Sequence, residues 1–312
     1  MRSKCIGGEA KIIMWIVLRC VLLFAAVFGA PNVGWAQVIL EGCTGFPQGG
    51  NSQPSYLVDL NTVTGATSNP RNIGIAVMCG ISTQPSTGTL YGLSSWASSP
   101  VSSLMTIDPA TGAPTIIGPT GLPNLVEGDL AFNPQNRFLY GINDAGSSFS
   151  QRNLFRINLS TGAATIIGSL GSTGDYSALA FTSSGVLYTI DDYPNGNANA
   201  NAVLSIVNPN TGTITSSITT NFHLGTGLGM AINPITGTVY VADGGPAVGT
   251  TDSLFTLDLA TGTFTLVGPT GFTGGMLGLA FVSVPEPSSF VLLTVAAAFA
   301  SWKMRKIRSQ PV

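Results

Sequence analysis

The chain has 312 residues and a formal net charge of −2, with only 8% charged residues, 39 glycines, 19 prolines and one histidine. So little charge excludes a basic nucleic-acid binder, a coiled coil and a charged disordered chain. The glycine and proline content calls instead for frequent turns, and the length allows one large domain or two ordinary ones.

Residues 1–36 read as a secretory signal. Arg2, Lys4, Lys11 and Arg19 form a basic leader, and Cys20–Ala30 is an apolar run of eleven residues. That run is too short to cross a bilayer core of about 30 Å. Gly34-Trp35-Ala36 places small residues for cleavage after Ala36, and Met14 is an alternative start. An uncleaved anchor is the competing reading.

Residues 37–284 hold four arginines, no lysine and twelve carboxylates, a formal charge of −8 that the whole-chain value conceals. An acidic surface repels phosphate and anionic lipid and favours cations. Cys43 and Cys79 remain after the leader, an even count in an oxidising compartment, so a Cys43–Cys79 bridge is expected.

The text of this region repeats. A Thr-Gly turn recurs at Gly65, Gly112, Gly162, Gly212 and Gly262, with spacings of 47, 50, 50 and 50. Around it stand LMTIDPATGAPTIIG (104–118), LFRINLSTGAATIIG (154–168), LSIVNPNTGTITSSI (204–218) and LFTLDLATGTFTLVG (254–268), with a looser copy at 56–70. LYGL (90–93), LYGI (139–142), LYTI (187–190) and VYVA (239–242) precede these copies, and DLAF, ALAF, GMAI and GLAF form a third motif.

Each unit thus predicts four short strands. The last two form a hairpin whose turn opens with Asp108, Asn158, Asn208 or Asp258 as a cap, with glycine supplying the positive φ. Tyr91, Tyr140, Tyr188 and Tyr240 recur at repeat spacing and read as core.

The final strand, Leu277–Val282, has no following partners, and the first copy starts near its second strand, at Val38–Gly42. Pairing them predicts an all-β, five-bladed β-propeller of roughly 50-residue, four-stranded repeats, closed by its N- and C-terminal strands. An open stack or two β-sandwiches is the rival architecture. The LYGI…TG…IG pattern is similar to several bacterial extracellular propeller families, and Val239–Gly244 resembles an NHL-type repeat core. Those motifs are structural and imply no activity.

Residues 285–312 form a second address. Pro285-Glu286-Pro287 precedes a thirteen-residue apolar run, Phe290–Trp302, then the basic cluster Lys303, Arg305, Lys306 and Arg308. The run is short for a permanent span, and the cations favour the cytoplasmic side. Over about residues 284–308 this arrangement resembles the PEP-CTERM sorting signal of Gram-negative bacteria. The resemblance implies export through the secretion translocon, transient inner-membrane anchoring by the C-terminal helix, processing by an exosortase-type membrane protease, and a surface or extracellular destination beside exopolysaccharide. An ordinary single-pass anchor gives the same topology without cleavage.

Candidate ligand residues follow from propeller topology, with inner strands surrounding a central channel. Loops on one face collect Glu127, Asp129 and Asp175 before inner strands, and Asp144, Asp191, Asp192, Asp243 and Asp252 after second strands. Converging carboxylates could bind Ca²⁺ or hydrogen-bond sugar hydroxyls. The plainer alternative is that they cap turns and keep a lysine-free surface soluble. A catalytic triad could use only His223, no GxSxG accompanies it, and no pair of acids is singled out for glycosidic cleavage. Zinc is disfavoured. Trp96, Phe149, Tyr176, Tyr193, Phe222 and Phe272 lie in loop-like text and could stack on sugars.

The expectation is a non-catalytic binding or scaffold propeller without nucleic-acid partners. A carbohydrate-active hydrolase or lyase using the rim carboxylates is one alternative, and a purely structural matrix protein is the other.

Overall fold

A computed structural model describes residues 37–44, 54–95, 101–122, 125–126, 128–144, 152–171, 174–197, 199–225, 227–243, 252–272 and 275–284. The leader 1–36, the tail 285–312 with Pro285–Pro287 and its basic cluster, Glu127, Trp96, Phe149 and the Asp144 side chain lie outside what is described. Among the described residues no helix is long and apolar enough to cross a membrane.

The compact unit Val38–Val282 carries twenty strands in five four-stranded antiparallel sheets. Blade 1 comprises β20 (Met276–Val284), β1 (Gln37–Thr44), β2 (Tyr56–Leu60) and β3 (Thr67–Asn72), in that order. Blade 2 runs from β4 (Met78–Thr83) through β5 (Leu90–Ser94) and β6 (Ser103–Ile107) to β7 (Pro114–Pro119). Blade 3 holds β8 (Leu130–Phe132), β9 (Leu139–Asp144), β10 (Arg152–Ile157) and β11 (Ala164–Gly171). Blade 4 holds β12 (Tyr176–Phe181), β13 (Leu187–Asp191), β14 (Val203–Val207) and β15 (Ile214–Thr219). Blade 5 holds β16 (Gly229–Ile232), β17 (Val239–Ala242), β18 (Ser253–Asp258) and β19 (Thr263–Pro269). The expected fold is therefore found, including closure: C-terminal β20 is the inner strand of the blade begun by β1.

The repeat motifs do local work. Asp108, Asn158, Asn208 and Asp258 each accept, through Oδ1, the N–H two residues on, at 2.8–2.9 Å. That bond pulls the Asp258 carboxyl below its usual range. The turn glycine follows at φ between 71° and 79°, a conformation a side chain resists.

The same turns join blades. A Cβ at Gly162 would lie 2.6 Å from the Gly118 carbonyl carbon, one at Gly212 2.7 Å from that of Gly168, and one at Gly65 2.6 Å from that of Gly268. The Thr-Gly turn of one blade thus rests on the outer-strand glycine of the blade before it. Inside this belt the repeated tyrosine packs on the next blade's inner-strand Phe: Tyr91–Phe132, Tyr140–Phe181 and Tyr240–Phe281 have centroids 5.5, 5.2 and 5.9 Å apart.

Candidate functional site

The axis of the propeller is filled where a channel was expected. One repeat position on the inner strands, or immediately before them, reads Gly80, Asp129, Ala178, Gly229 and Gly278. A Cβ on Gly278 would lie 2.7 Å from Gly80 Cα, one on Gly229 2.7 Å from the Gly278 carbonyl carbon, and one on Gly80 2.7 Å from Asp129 Cα. Backbones therefore meet backbones around the axis.

Asp129 supplies the one large side chain at this level. It is fully buried, and its carboxylate accepts N–H groups from Leu130 (2.8 Å), Leu179 (3.0 Å) and Met230 (3.4 Å), which belong to blades 3, 4 and 5. Burial pushes the carboxyl well above its usual range, against the pull of those three donors. Its expected place on a ligand rim is thus corrected. Asp129 is an internal acid whose oxygens accept strand amides, because inner strands of three blades aim N–H groups at it.

Asp191, Asp192 and Asp243 lie where second strands meet loops. One repeat position at the end of the second strands reads Thr44, Ser94, Asn143 (one residue before the end of β9), Asp191 and Asp243 (just after β17), a column of short polar side chains, all buried. Thr44 Oγ1 accepts the Tyr56 N–H at 2.8 Å and Ser94 Oγ accepts the Ser103 N–H at 2.9 Å. Asp191 Oδ1 accepts N–H groups from Asp175 (2.8 Å) and Tyr193 (3.1 Å). Asp243 Oδ1 accepts that of Gly225 at 2.9 Å.

Asp192 Oδ2 takes the Ser177 hydroxyl at 2.6 Å and the Gly227 N–H at 3.2 Å, which ties blade 4 to the loop of blade 5. Asp252 Oδ2 receives the Gly275 N–H at 3.3 Å. Asp175 and His223 are half-buried in the loops before β12 and β16. Among the described residues no three of His, Cys, Asp and Glu are grouped to hold a metal ion. Chemically this face is a set of loops stapled by buried oxygens.

The expected Cys43–Cys79 bridge is not formed, and both residues carry buried thiols. They belong to different packing clusters: Cys43 sits with Leu57, Met78 and Met105, and Cys79 with Leu93, Leu125 and Phe132. The Cys79 thiol lies 3.4 Å from the Val126 carbonyl oxygen. Burial pushes the Cys43 thiol well up, and the nearby Asp129 charge adds to the rise. Cys43 fills a position that the other blades give to Leu93, Ile142, Ile190 and Ala242, and an even count could not register that.

Sequence reasoning missed one site, between blades 1 and 2. Glu41 takes the place of the repeated tyrosine, Thr83 that of the inner-strand Phe, and Arg71 that of the belt glycine. Arg71 binds Glu41 at 2.9 Å and also contacts Asp59 and the Pro109 carbonyl. Burial raises the Glu41 carboxyl to about 7, opposed by the Arg71 charge. Glu41 Oε2, Arg71 Nε and Thr83 Oγ1 are buried without hydrogen-bond partners among the described residues.

This chain is similar to several solved structures. A chain of a nidogen/laminin complex is 14% identical, with 79% of this chain and 98% of that one covered, at a TM-score of 0.46. TolB from Acinetobacter baumannii is 13% identical, over 84% and 71%, at 0.42. A putative 6-phosphogluconolactonase from Bacteroides fragilis is 13% identical, over 81% and 100%, at 0.43. Likeness at this level says nothing about ligand or activity. No curated protein matches the sequence. Residues 129–284, half of the chain and the stretch that carries blades 3 to 5 and the closing strand, match the family described as a repeat of unknown function (DUF6923), and the chain belongs to that family.

Proposed function

We propose that this chain is an exported surface or matrix protein, sorted through its PEP-CTERM-like tail, whose propeller binds exopolysaccharide without cleaving it. The observation that carries the non-catalytic part is the state of the loop-face acids. Asp191, Asp192, Asp243 and Asp252 are buried, and each accepts backbone N–H groups of the loops. A general acid or nucleophile must reach its substrate, and a carboxylate spent on loop amides is turned away from that work. Support for export comes from the two end segments, residues 1–36 and 285–312, and from the lysine-free, acidic middle.

The test is a pull-down of residues 37–284 with the host's own matrix polysaccharide, with calcium and with chelator, and with the sugar assayed for chain length. Retention with unshortened chains is expected, and loss of retention with chelator would add calcium as a ligand. Shortened chains would overturn the non-catalytic reading. No retention under either condition would favour a purely structural matrix protein.

A further inference from the structure

Five copies of one repeat make every departure by a single blade conspicuous, and blade 3 departs at two adjacent residues of one turn and at a third that packs on one of them. In the turn between the first and second strands, blades 2, 4 and 5 place Gly88, Gly185 and Gly237 at φ of 72°, 84° and 74°. Blade 3 places Arg137 there, at φ 62°, and so accepts a backbone penalty that glycine avoids. The next residue is Thr89, Val186 or Thr238 elsewhere, but Phe138 here, 49% exposed. On the third strand the partner of the repeated tyrosine is Thr106, Ile206 or Thr256, but Arg156 opposite Tyr140. The Arg156 guanidinium lies 4.9 Å from the Phe138 ring centroid.

Packing does not call for these residues, since three sister blades manage without them. Their charge also runs against the domain. Of the four arginines in residues 37–284, Arg71 and Arg152 are buried, whereas Arg137 and Arg156 are exposed. Asp108 and Asp258 are exposed charges of the opposite sign. Among the described residues, Arg137 and Arg156 make no ion pair. An arginine stacked on an aromatic ring keeps its N–H fork available, and that fork matches a carboxylate in two-point contact. The exposed part of the ring offers an apolar surface to the C–H face of a sugar.

We propose that Arg137, Phe138 and Arg156 form a binding site for a carboxylate-bearing polysaccharide, one built with uronic acid units. This rests on the glycan-binding reading above and names its ligand class and its location, on the blade end away from the acid-stapled loops.

The test restores the repeat. A variant of residues 37–284 with Arg137→Gly, Phe138→Thr and Arg156→Thr carries residues that sister blades already use, so it should fold. Wild type and variant are titrated with polygalacturonate and with neutral dextran at two salt concentrations, with melting and sedimentation measured alongside.

Wild type should bind polygalacturonate and not dextran, more weakly at high salt. The variant should bind about tenfold more weakly or worse, as expected for lost charge-assisted contacts, with melting unchanged or raised. Equal binding by the variant would overturn the site and leave the broader reading standing. Failure of wild type to bind polygalacturonate would overturn the uronate class, and failure on the host polysaccharide as well would overturn the broader reading. A marked loss of melting in the variant would make the residues structural. Dimers of wild type that become monomers in the variant, without glycan, would make the patch a contact between copies.

Discussion

The junction between blades 3 and 4 and that between blades 1 and 2 solve one packing problem differently. At the first, Tyr140 packs edge-on against Phe181, and the Gly212 turn rests on Gly168. At the second, Glu41 and Thr83 replace the aromatic pair, and Arg71 replaces the belt glycine, its Cβ 2.8 Å from where a Gly112 Cβ would be. Two of these changes, Glu41 and Arg71, are coupled by an ion pair. Arg71 fills the room that an absent glycine contact leaves, and its charge is answered by Glu41 and Asp59. The polar junction flanks the one blade assembled from both chain ends. At the junction between blades 4 and 5 the tyrosine, Tyr188, is kept while Ile218 stands for the belt glycine and Ile232 for the Phe, so a joint also accepts exchange of part of its contact set.

The sharpest break comes from the axis, which all junctions share. Gly278→Ala puts a Cβ 2.5 Å from the Ile81 nitrogen, against backbone that cannot yield. Its cost should exceed about 4 kcal/mol, seen as loss of soluble protein or a large drop in urea midpoint. Asp129→Gly should follow. It leaves the N–H groups of Leu130, Leu179 and Met230 without their acceptor, at about 1–3 kcal/mol each. Added formate should recover part of the lost melting temperature by supplying a carboxylate to the same amides.

Breaking the polar junction one-sidedly ranks close behind. Arg71→Ala at pH 8 strands the buried Glu41 charge and should cost about 3–5 kcal/mol. Converting the joint wholesale, with Glu41→Tyr, Thr83→Phe and Arg71→Gly together, should be neutral or stabilising by about 1–4 kcal/mol. Denaturant titration of both variants checks the contrast.

The same joint predicts a pH effect. Glu41 titrates near 7 in the fold against the ordinary 4.5 of a free glutamate, so folding favours its protonated form. That stabilisation is complete below 4.5 and is lost as pH rises through 7. Wild type should lose on the order of 3 kcal/mol across this window relative to Glu41→Gln, measured as the difference between two melting profiles. The smallest effect belongs to Arg137→Gly, which removes a left-handed arginine and should stabilise by about 1 kcal/mol.

What the sequence made legible was whatever repeats locally. The Thr-Gly turns, their Asp and Asn caps and the unpaired terminal strands each carry a signal within a few residues. The glycines at 118, 168 and 268 were visible as letters, yet their purpose depends on a turn some fifty residues away landing on them. Asp129 carries a signal in the sequence, one acid in a column otherwise glycine and alanine. A loop carboxylate belongs on the surface, whereas a column of small residues at an inner strand marks close backbone approach. Asp191 and Asp243 were likewise legible as members of a column with Thr44, Ser94 and Asn143, a pattern of capping oxygens rather than of ligands. The blade 1–2 junction stayed hidden because Glu41 and Arg71 lie thirty residues apart in a looser copy.

The central claim is that the loop-face acids hold backbone rather than substrate. It is tested most directly by melting and glycan retention of Asp191→Asn, Asp192→Asn and Asp243→Asn, each measured on the same sample. Lowered melting in every variant, with polysaccharide chains unshortened by any of them or by wild type, is the predicted result. Unchanged melting together with lost retention, or cleavage by wild type that these variants abolish, would contradict it.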